Sequence, residues 1–96
     1  MNRTEILKIL AQHQDELAKR YGVTRLGVFG AVARGEATEA SDVDVVIEMV
    51  KPDLFYMVHI KQELEDLLHC PVDIVHYRPH MNSYLKKQIN RDGVYV

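Results

Sequence analysis

Two paired aspartates and an upstream glycine are the residues of this chain whose spacing could do chemistry. Asp42 and Asp44 lie two apart in an apolar stretch, and a strand places residues i and i+2 on one face, with Cα atoms roughly 6.5 Å apart. Paired carboxylates suit hard divalent cations, and Mg²⁺ typically takes one or two of them plus substrate phosphates. Gly30 precedes a short predicted helix whose N–H groups could receive those phosphates. The pattern predicts an enzyme that handles a nucleoside triphosphate.

Asp73 is a third candidate, because it lies between Val72 and Ile74 in another short apolar stretch, where aspartate is disfavoured. If its strand neighbours that of Asp44, Asp73 could ligate a metal and accept the proton of an attacking hydroxyl as general base. Two alternatives stay open at this point. Asp42 could be an ordinary turn acid, and Asp73 could be a solubilising charge on an edge strand.

The elements that must position these side chains follow from caps and periodicity. Asn2 and Glu5 resemble a capping box at the start of a first helix, Gly22 ends that helix, and Asp53 can cap a later one. The predicted order is α-β-(α)-β-α-β-α: a helix to residue 21, a strand at 23–29, a helical turn at 31–34, a strand at 43–50, a helix at 54–69, a strand at 72–76 and a helix near 84–93. In the long second helix the residues predicted to face mainly inward are Leu54, Met57, Ile60, Leu64, Leu67 and Leu68. We expect an α+β fold, with a small mixed sheet of about three strands covered by helices on one side.

Composition narrows the classes of protein. The chain has 96 residues and a net charge of −2, which predicts one domain without a broad electrostatic surface for nucleic acid. Cys70 is the single cysteine, so an internal disulfide is excluded and a reducing compartment is favoured. No apolar run approaches about 18 residues, and the first residues lack the features of a signal peptide. We therefore expect a cytoplasmic protein with no membrane span.

The spacing of these residues also resembles a known family. Gly30-Ala31, ten intervening residues and Asp42-Val43-Asp44 resemble the Gly-Ser-x10-Asp-x-Asp motif of nucleotidyltransferases with the DNA-polymerase-β-like palm fold. Residues 33–37 and 71–75 resemble the minimal nucleotidyltransferase (MNT) domains, and the resemblance covers nearly all of residues 1–96 as a single domain. Many MNT domains are antitoxins paired with HEPN-domain RNase toxins. The resemblance implies Mg²⁺-dependent transfer of AMP from ATP to a tyrosine hydroxyl of such a toxin.

The resemblance assigns the acids specific roles. Asp42 and Asp44 would bind two Mg²⁺ ions, while Asp73 would join one of them and accept the hydroxyl proton. In such a site the metals neutralise the triphosphate and stabilise the leaving pyrophosphate in an in-line displacement. The acceptor surface is expected to belong to a partner, because a chain of 96 residues has little room for a separate acceptor-binding domain. Transfer to a small molecule such as an aminoglycoside is the less favoured alternative for the same reason.

Four residues are nucleotide-binding candidates by the same resemblance: Gly30, Ala31, Arg34 and Ser41. Gly30 would form the turn against the triphosphate. Arg34 has the guanidinium geometry that suits phosphate oxygens, and its alternative is a solvated turn arginine. Ala31 replaces the serine of the family motif, and losing a hydrogen bond to a charged group costs about 1.5–3 kcal/mol. The substitution therefore keeps open a second hypothesis, a catalytically impaired antitoxin that neutralises its toxin by binding and occlusion.

The remaining polar residues do not converge on a second site. His76 and His80 follow Asp73 and could approach a substrate, but no zinc-ligand spacing is present. The other histidines, His13, His59 and His69, are expected on helix surfaces. Exposed apolar residues such as Phe55 or Tyr84 leave a homo-oligomer possible.

Overall fold

The computed structural model describes residues 2–38 and 41–96. Within these ranges the elements are α1 (Arg3–Tyr21), β1 (Val23–Phe29), α2 (Gly30–Arg34), β2 (Val43–Met49), α3 (Leu54–Leu68), β3 (Val72–His76), α4 (Ser83–Asp92) and β4 (Val94–Tyr95). The strands form one mixed sheet in the order β3-β2-β1-β4. Strand β1 is antiparallel to both β2 and β4, whereas β2 and β3 run parallel.

The helix ends lie where local chemistry places them. The Asn2 side chain accepts the backbone N–H of Glu5 at the start of α1, and Gly22 ends that helix in the left-handed conformation at φ 71°. The Asp53 carboxylate accepts backbone N–H groups from the first turn of α3. These side chains satisfy donors that a helix end leaves free. The predicted α+β fold is confirmed, and the helix and strand bounds match closely.

A fourth strand was not predicted. Strand β4 has only two residues, Val94 and Tyr95, which is too short to produce a readable alternation. It lies against Gly27 of β1, where a Cβ atom would come within 2.5 Å of the Val94 carbonyl oxygen. The absent side chain at Gly27 is therefore what admits this strand to the sheet.

Helices cover both faces of the sheet, so the prediction of helices on one side only was wrong. One face packs Val43, Val45 and Ile47 against α1 and α3. On the other face, Val46 packs with Phe29 and with Ile89 of α4. Because side chains alternate along a strand, Asp44 lies on the α4 face.

The prediction for Leu54 was also wrong. Its side chain is 80% exposed, whereas Ile60 and Leu64, further along α3, are fully buried. Leu54 opens the helix, immediately after the Asp53 cap. In the described part of the chain, no helix is long and apolar enough to cross a membrane.

Candidate active site

Two of the three aspartates meet at one end of the sheet. Strand β3 pairs with β2, which meets the condition under which Asp73 could join the site, and its register places Asp73 directly opposite Asp44. On the other side of β2, Phe29 is opposite Asp44, so Gly30 follows immediately beside the same position. Adjacent strands are about 4.8 Å apart. The fold thus brings both carboxylates and the glycine turn together from three separate segments.

The electrostatics of Asp44 show that Asp42 belongs to the same group. Burial raises the pKa of the Asp44 carboxyl, and the negative charges of Asp73 and Asp42 raise it further. The positive charge of Arg34 acts in the opposite direction on that pKa. Asp42 itself is exposed and precedes β2. Asp73 and Asp42 therefore both repel the charged form of Asp44, an arrangement that a cation would relieve.

The chemistry of these donors fits a hard divalent ion. Carboxylate oxygens are the ligands that Mg²⁺ prefers, and it keeps several waters and substrate oxygens as its other ligands. Among the residues that the structure describes, no three His, Cys, Asp or Glu side chains are gathered into a finished metal cage. A site completed by substrate phosphates needs no such cage. Asp42, Asp44 and Asp73 are the residues that would hold the metal.

Gly30 approaches Asp44 so closely that no side chain fits between them. Its φ is +70°, and a Cβ atom on Gly30 would overlap Oδ2 of Asp44. Glycine is the residue that adopts this conformation without steric penalty. Ala31 follows in the first turn of α2 and is partly buried. The glycine turn therefore lies against one of the candidate metal ligands.

Arg34 is near the three aspartates, but its guanidinium forms ion pairs with two other carboxylates. Its guanidinium donates to Glu36 Oε2 and to Asp92 Oδ2, both at 3.0 Å. Asp92, on α4, has a side chain that is only 8% exposed, so this ion pair connects α2 to α4. A phosphate that binds Arg34 would have to compete with two carboxylates.

Ser41 and His76 do not line the cavity that Asp44 and Asp73 share, although Ser41 directly precedes Asp42. The Ser41 hydroxyl accepts the backbone N–H of Thr38 at 3.0 Å, and it lines a different cavity, together with Val43 and Cys70. His76, which from its place in the sequence could approach a substrate, lies away from Asp73. Its side chain is buried on the opposite face of β3 from Asp73, and burial lowers the pKa of its imidazole. Strand alternation requires this separation, because residues 73 and 76 differ by an odd number.

Asp44 and Asp73 open into a groove that sequence reasoning did not identify. Its volume is about 750 Å³, and it runs between α3 and α4 along β3. Lys61 of α3 and Gln88 of α4 line it together with Asp44 and Asp73. Leu54, Val58 and Lys61 lie on one face of α3, at i, i+4 and i+7 spacing. That pattern alone does not indicate a binding site.

The repulsion among the acids predicts a stabilising substitution. The unfolded chain frees Asp44 from burial and from its neighbours, so its pKa is higher in the folded state. Folding stability is then lost as the pH rises through the folded pKa. Asp44→Asn should therefore raise the Tm at pH 7, and the gain should vanish below the ordinary carboxyl pKa of about 4. Thermal unfolding of both proteins across pH 3–8 checks this; a destabilised variant at pH 7 would contradict the electrostatic account.

The site and fold agree with known proteins. Residues 10–96 match the family described as "Nucleotidyltransferase domain". Protein adenylyltransferase MntA of Thermococcus cleftensis is 41% identical over 93 residues, spanning 96% of this chain and 93% of the relative. A solved chain described as a minimal nucleotidyltransferase shares 36% identity at a TM-score of 0.78, over 98% of this chain and 95% of the other. The chain belongs to the nucleotidyltransferase domain family.

The relatives also place the chain within that family. Their length and name confirm the prediction of a minimal nucleotidyltransferase domain and of an enzyme of the protein adenylyltransferase kind. A more distant fold neighbour is the MNT antitoxin complex of the tri-AMPylated HEPN toxin from Shewanella oneidensis. It shows 20% identity and a TM-score of 0.62, over 98% of this chain and 67% of that chain. At that identity the likeness concerns the fold.

Proposed function

We propose that this protein is a cytoplasmic antitoxin that transfers AMP from ATP to a tyrosine hydroxyl of a cognate HEPN RNase toxin, in a Mg²⁺-dependent reaction. The observation that carries the proposal is the cross-strand pair Asp44–Asp73 beside the tight glycine turn at Gly30. The solved complex of an MNT antitoxin with an AMP-modified HEPN toxin supports the choice of acceptor. Curated relatives named for protein adenylylation support the choice of reaction.

The chain's own residues divide the work of the reaction. The tyrosine oxygen forms a bond to the α-phosphorus of ATP, the bond from that phosphorus to the pyrophosphate oxygen breaks, and the phenolic proton passes to the Asp73 carboxylate. Asp42 and Asp44 would hold the Mg²⁺ that accompanies the triphosphate, and the Gly30 turn leaves room for the triphosphate itself. Bound Mg²⁺ supplies charge neutralisation at the phosphates and the leaving group. The test is mass spectrometry of purified HEPN toxin after incubation with this protein, ATP and Mg²⁺, which should show a gain of one or more AMP groups.

Ala31 favours a second candidate function, an antitoxin that neutralises its toxin by occlusion. The family motif has a serine hydroxyl at this position, in the first turn of α2, and alanine offers a backbone N–H alone. The loss of that one contact weakens the nucleotide site without removing the aspartates. A protein of this kind would bind the toxin equally well with its carboxylates replaced.

Restoring the serine should strengthen ATP binding. Ala31→Ser adds a donor to a charged phosphate, worth about 1.5–3 kcal/mol, so the Kd for ATP in the presence of Mg²⁺ should fall about ten- to a hundredfold. Titration calorimetry measures this directly. Ala11→Ser, at an exposed position of α1, is the matched control and should leave the Kd unchanged. An unchanged Kd for Ala31→Ser would place the triphosphate away from this turn.

A further inference from the structure

The outer edge of β3 borders the groove, and its backbone direction can be read from two hydrogen bonds. Strand β3 is at the edge of the sheet, paired only with β2. The Tyr77 N–H donates to the Ile47 carbonyl at 2.8 Å, and the Pro71 carbonyl accepts the Val43 N–H at 3.0 Å. Both Tyr77 and Pro71 therefore direct their backbone polar groups toward β2. Since direction alternates along a strand, the even-numbered residues between them direct theirs outward.

Side chains occupy both ends of this outer edge and leave its middle open. The Val72 N–H donates to Glu65 Oε2 at 3.0 Å, and the His76 carbonyl accepts from the Arg78 guanidinium at 3.0 Å. Ile74 lies between them, and within residues 2–38 and 41–96 neither its N–H nor its carbonyl has a partner on this side. Proteins commonly block exposed edges with charged side chains. An edge blocked at both ends but open in the middle has room for one short pairing strand.

The walls of the groove are suited to an apolar chain. Ile74 lines it next to Asp73. Leu54 and Val58 lie on the α3 side, 80% and 65% exposed, and Leu85 lies on the α4 side. Exposed large aliphatic side chains beside a catalytic cavity are typical of a surface that binds a partner.

We propose that an extended, tyrosine-bearing segment of the protein acceptor adds to β3 as a strand at Ile74. This inference rests on the proposed function and identifies how the acceptor is held. The unpaired backbone groups of Ile74 select an extended segment over a helix, because a helix has no free N–H and carbonyl to pair with them. An added strand lies about 4.8 Å from β3, with alternate side chains directed to the face of Asp73. That spacing brings a tyrosine hydroxyl toward the proton acceptor.

The charges at the groove select the flanks of the segment. Lys61 lines the groove, where its ammonium is already paired with Glu65 Oε2 at 2.9 Å, and Arg78 lies two residues beyond β3, where it contacts a neutral carbonyl. Arg78 therefore complements an acidic residue that flanks the apolar, tyrosine-containing centre. The occupant is therefore an acidic-flanked peptide segment with alternating apolar residues.

Hydrogen exchange of the Ile74 amide tests the proposal without nucleotide. The probe is a set of synthetic ten-residue peptides, each with a central tyrosine, alternating valines and glutamates at both ends. In the free protein the Ile74 amide should exchange rapidly, and peptide at millimolar concentration should slow its exchange at least about tenfold. Two further versions of each peptide carry backbone N-methyl groups at either the odd or the even positions. One version should lose binding and the other should keep it, because a strand pairs through one edge at a time.

Protein variants provide an independent reading. Ile74→Pro removes the outward N–H, and proline is tolerated at such edge positions; Ile74→Val keeps the N–H and is the matched control. Peptide binding should weaken about tenfold in the proline variant only. Unchanged Ile74 exchange with every peptide, or equal binding of both N-methylated versions, would overturn the proposal. Calorimetry with ATP and Mg²⁺ on the same samples separates the two ideas, since absent ATP binding with intact peptide docking counts against the proposed function alone.

Discussion

Replacing Asp42 with asparagine should lower the rate of AMP transfer by about a thousandfold, equivalent to roughly 4 kcal/mol of transition-state stabilisation. An amide oxygen carries no net charge, so it neither holds Mg²⁺ firmly nor offsets the triphosphate charge. The fold should persist because Asp42 is exposed and precedes β2. Mass spectrometry of the HEPN toxin, with circular dichroism of the variant, measures both quantities.

Asp15→Asn is the matched control, because Asp15 is an exposed carboxylate on α1 and its replacement should leave transfer unchanged. Equal transfer by Asp42→Asn and the parent protein would remove Asp42 from the site. The double variant Asp42→Asn/Asp44→Asn then separates catalysis from occlusion. If the double variant protects growing cells from the toxin as well as the parent does, the protein neutralises the toxin by binding it. If protection is lost while the complex still forms, the protein neutralises the toxin by AMP transfer.

Gly30→Ala should reduce transfer by about a hundredfold and also destabilise the protein. Alanine at φ +70° costs about 1–2 kcal/mol, and its Cβ would occupy the space of the Asp44 carboxylate. The carboxylate must then move, and a displacement of about 1 Å in a catalytic group can lower a rate a hundredfold. Initial rates of AMP transfer and urea unfolding measure the two effects.

Gly35→Ala isolates the contribution of that contact. Gly35 has nearly the same φ, +74°, but a Cβ atom there would have no neighbour within 4 Å. Its replacement should show the backbone penalty of about 1–2 kcal/mol with little change in transfer. Equal losses of activity in the two variants would mean that the Gly30–Asp44 contact has no catalytic importance.

Local chemistry explains why so much of the fold could be predicted from the sequence. Asn2, Gly22 and Asp53 end or begin helices through bonds to nearby backbone groups, so neighbouring residues contain the whole signal. The pair Asp44 and Asp73 could be recognised because charged residues are rare inside apolar strands. Their meeting required only that β2 and β3 be neighbours.

What could not be predicted depends on distant contacts. The second face of the sheet is covered because α4 packs on Val46. The periodicity of residues 43–49 does not show which helix packs on which face of the strand. The exposure of Leu54 depends on where α3 begins relative to the sheet. The engagement of Arg34 by Asp92 joins residues 58 positions apart, beyond the reach of any local pattern. The groove could not be predicted for the same reason, because its walls come from three separate elements, α3, β3 and α4.

The position of Asp73 on an edge strand has a consequence for how the protein loses activity on heating. Strand β3 has five residues and is paired on one side only, whereas β1 and β2 are enclosed by the core. Short, singly paired elements open by local unfolding at lower free energy than the whole domain. The candidate site carboxylates of Asp44 and Asp73 should therefore separate while α1 and the central strands remain folded. Loss of enzymatic activity would then occur at a lower temperature than global unfolding. The rate of turnover would report on local unfolding of β3.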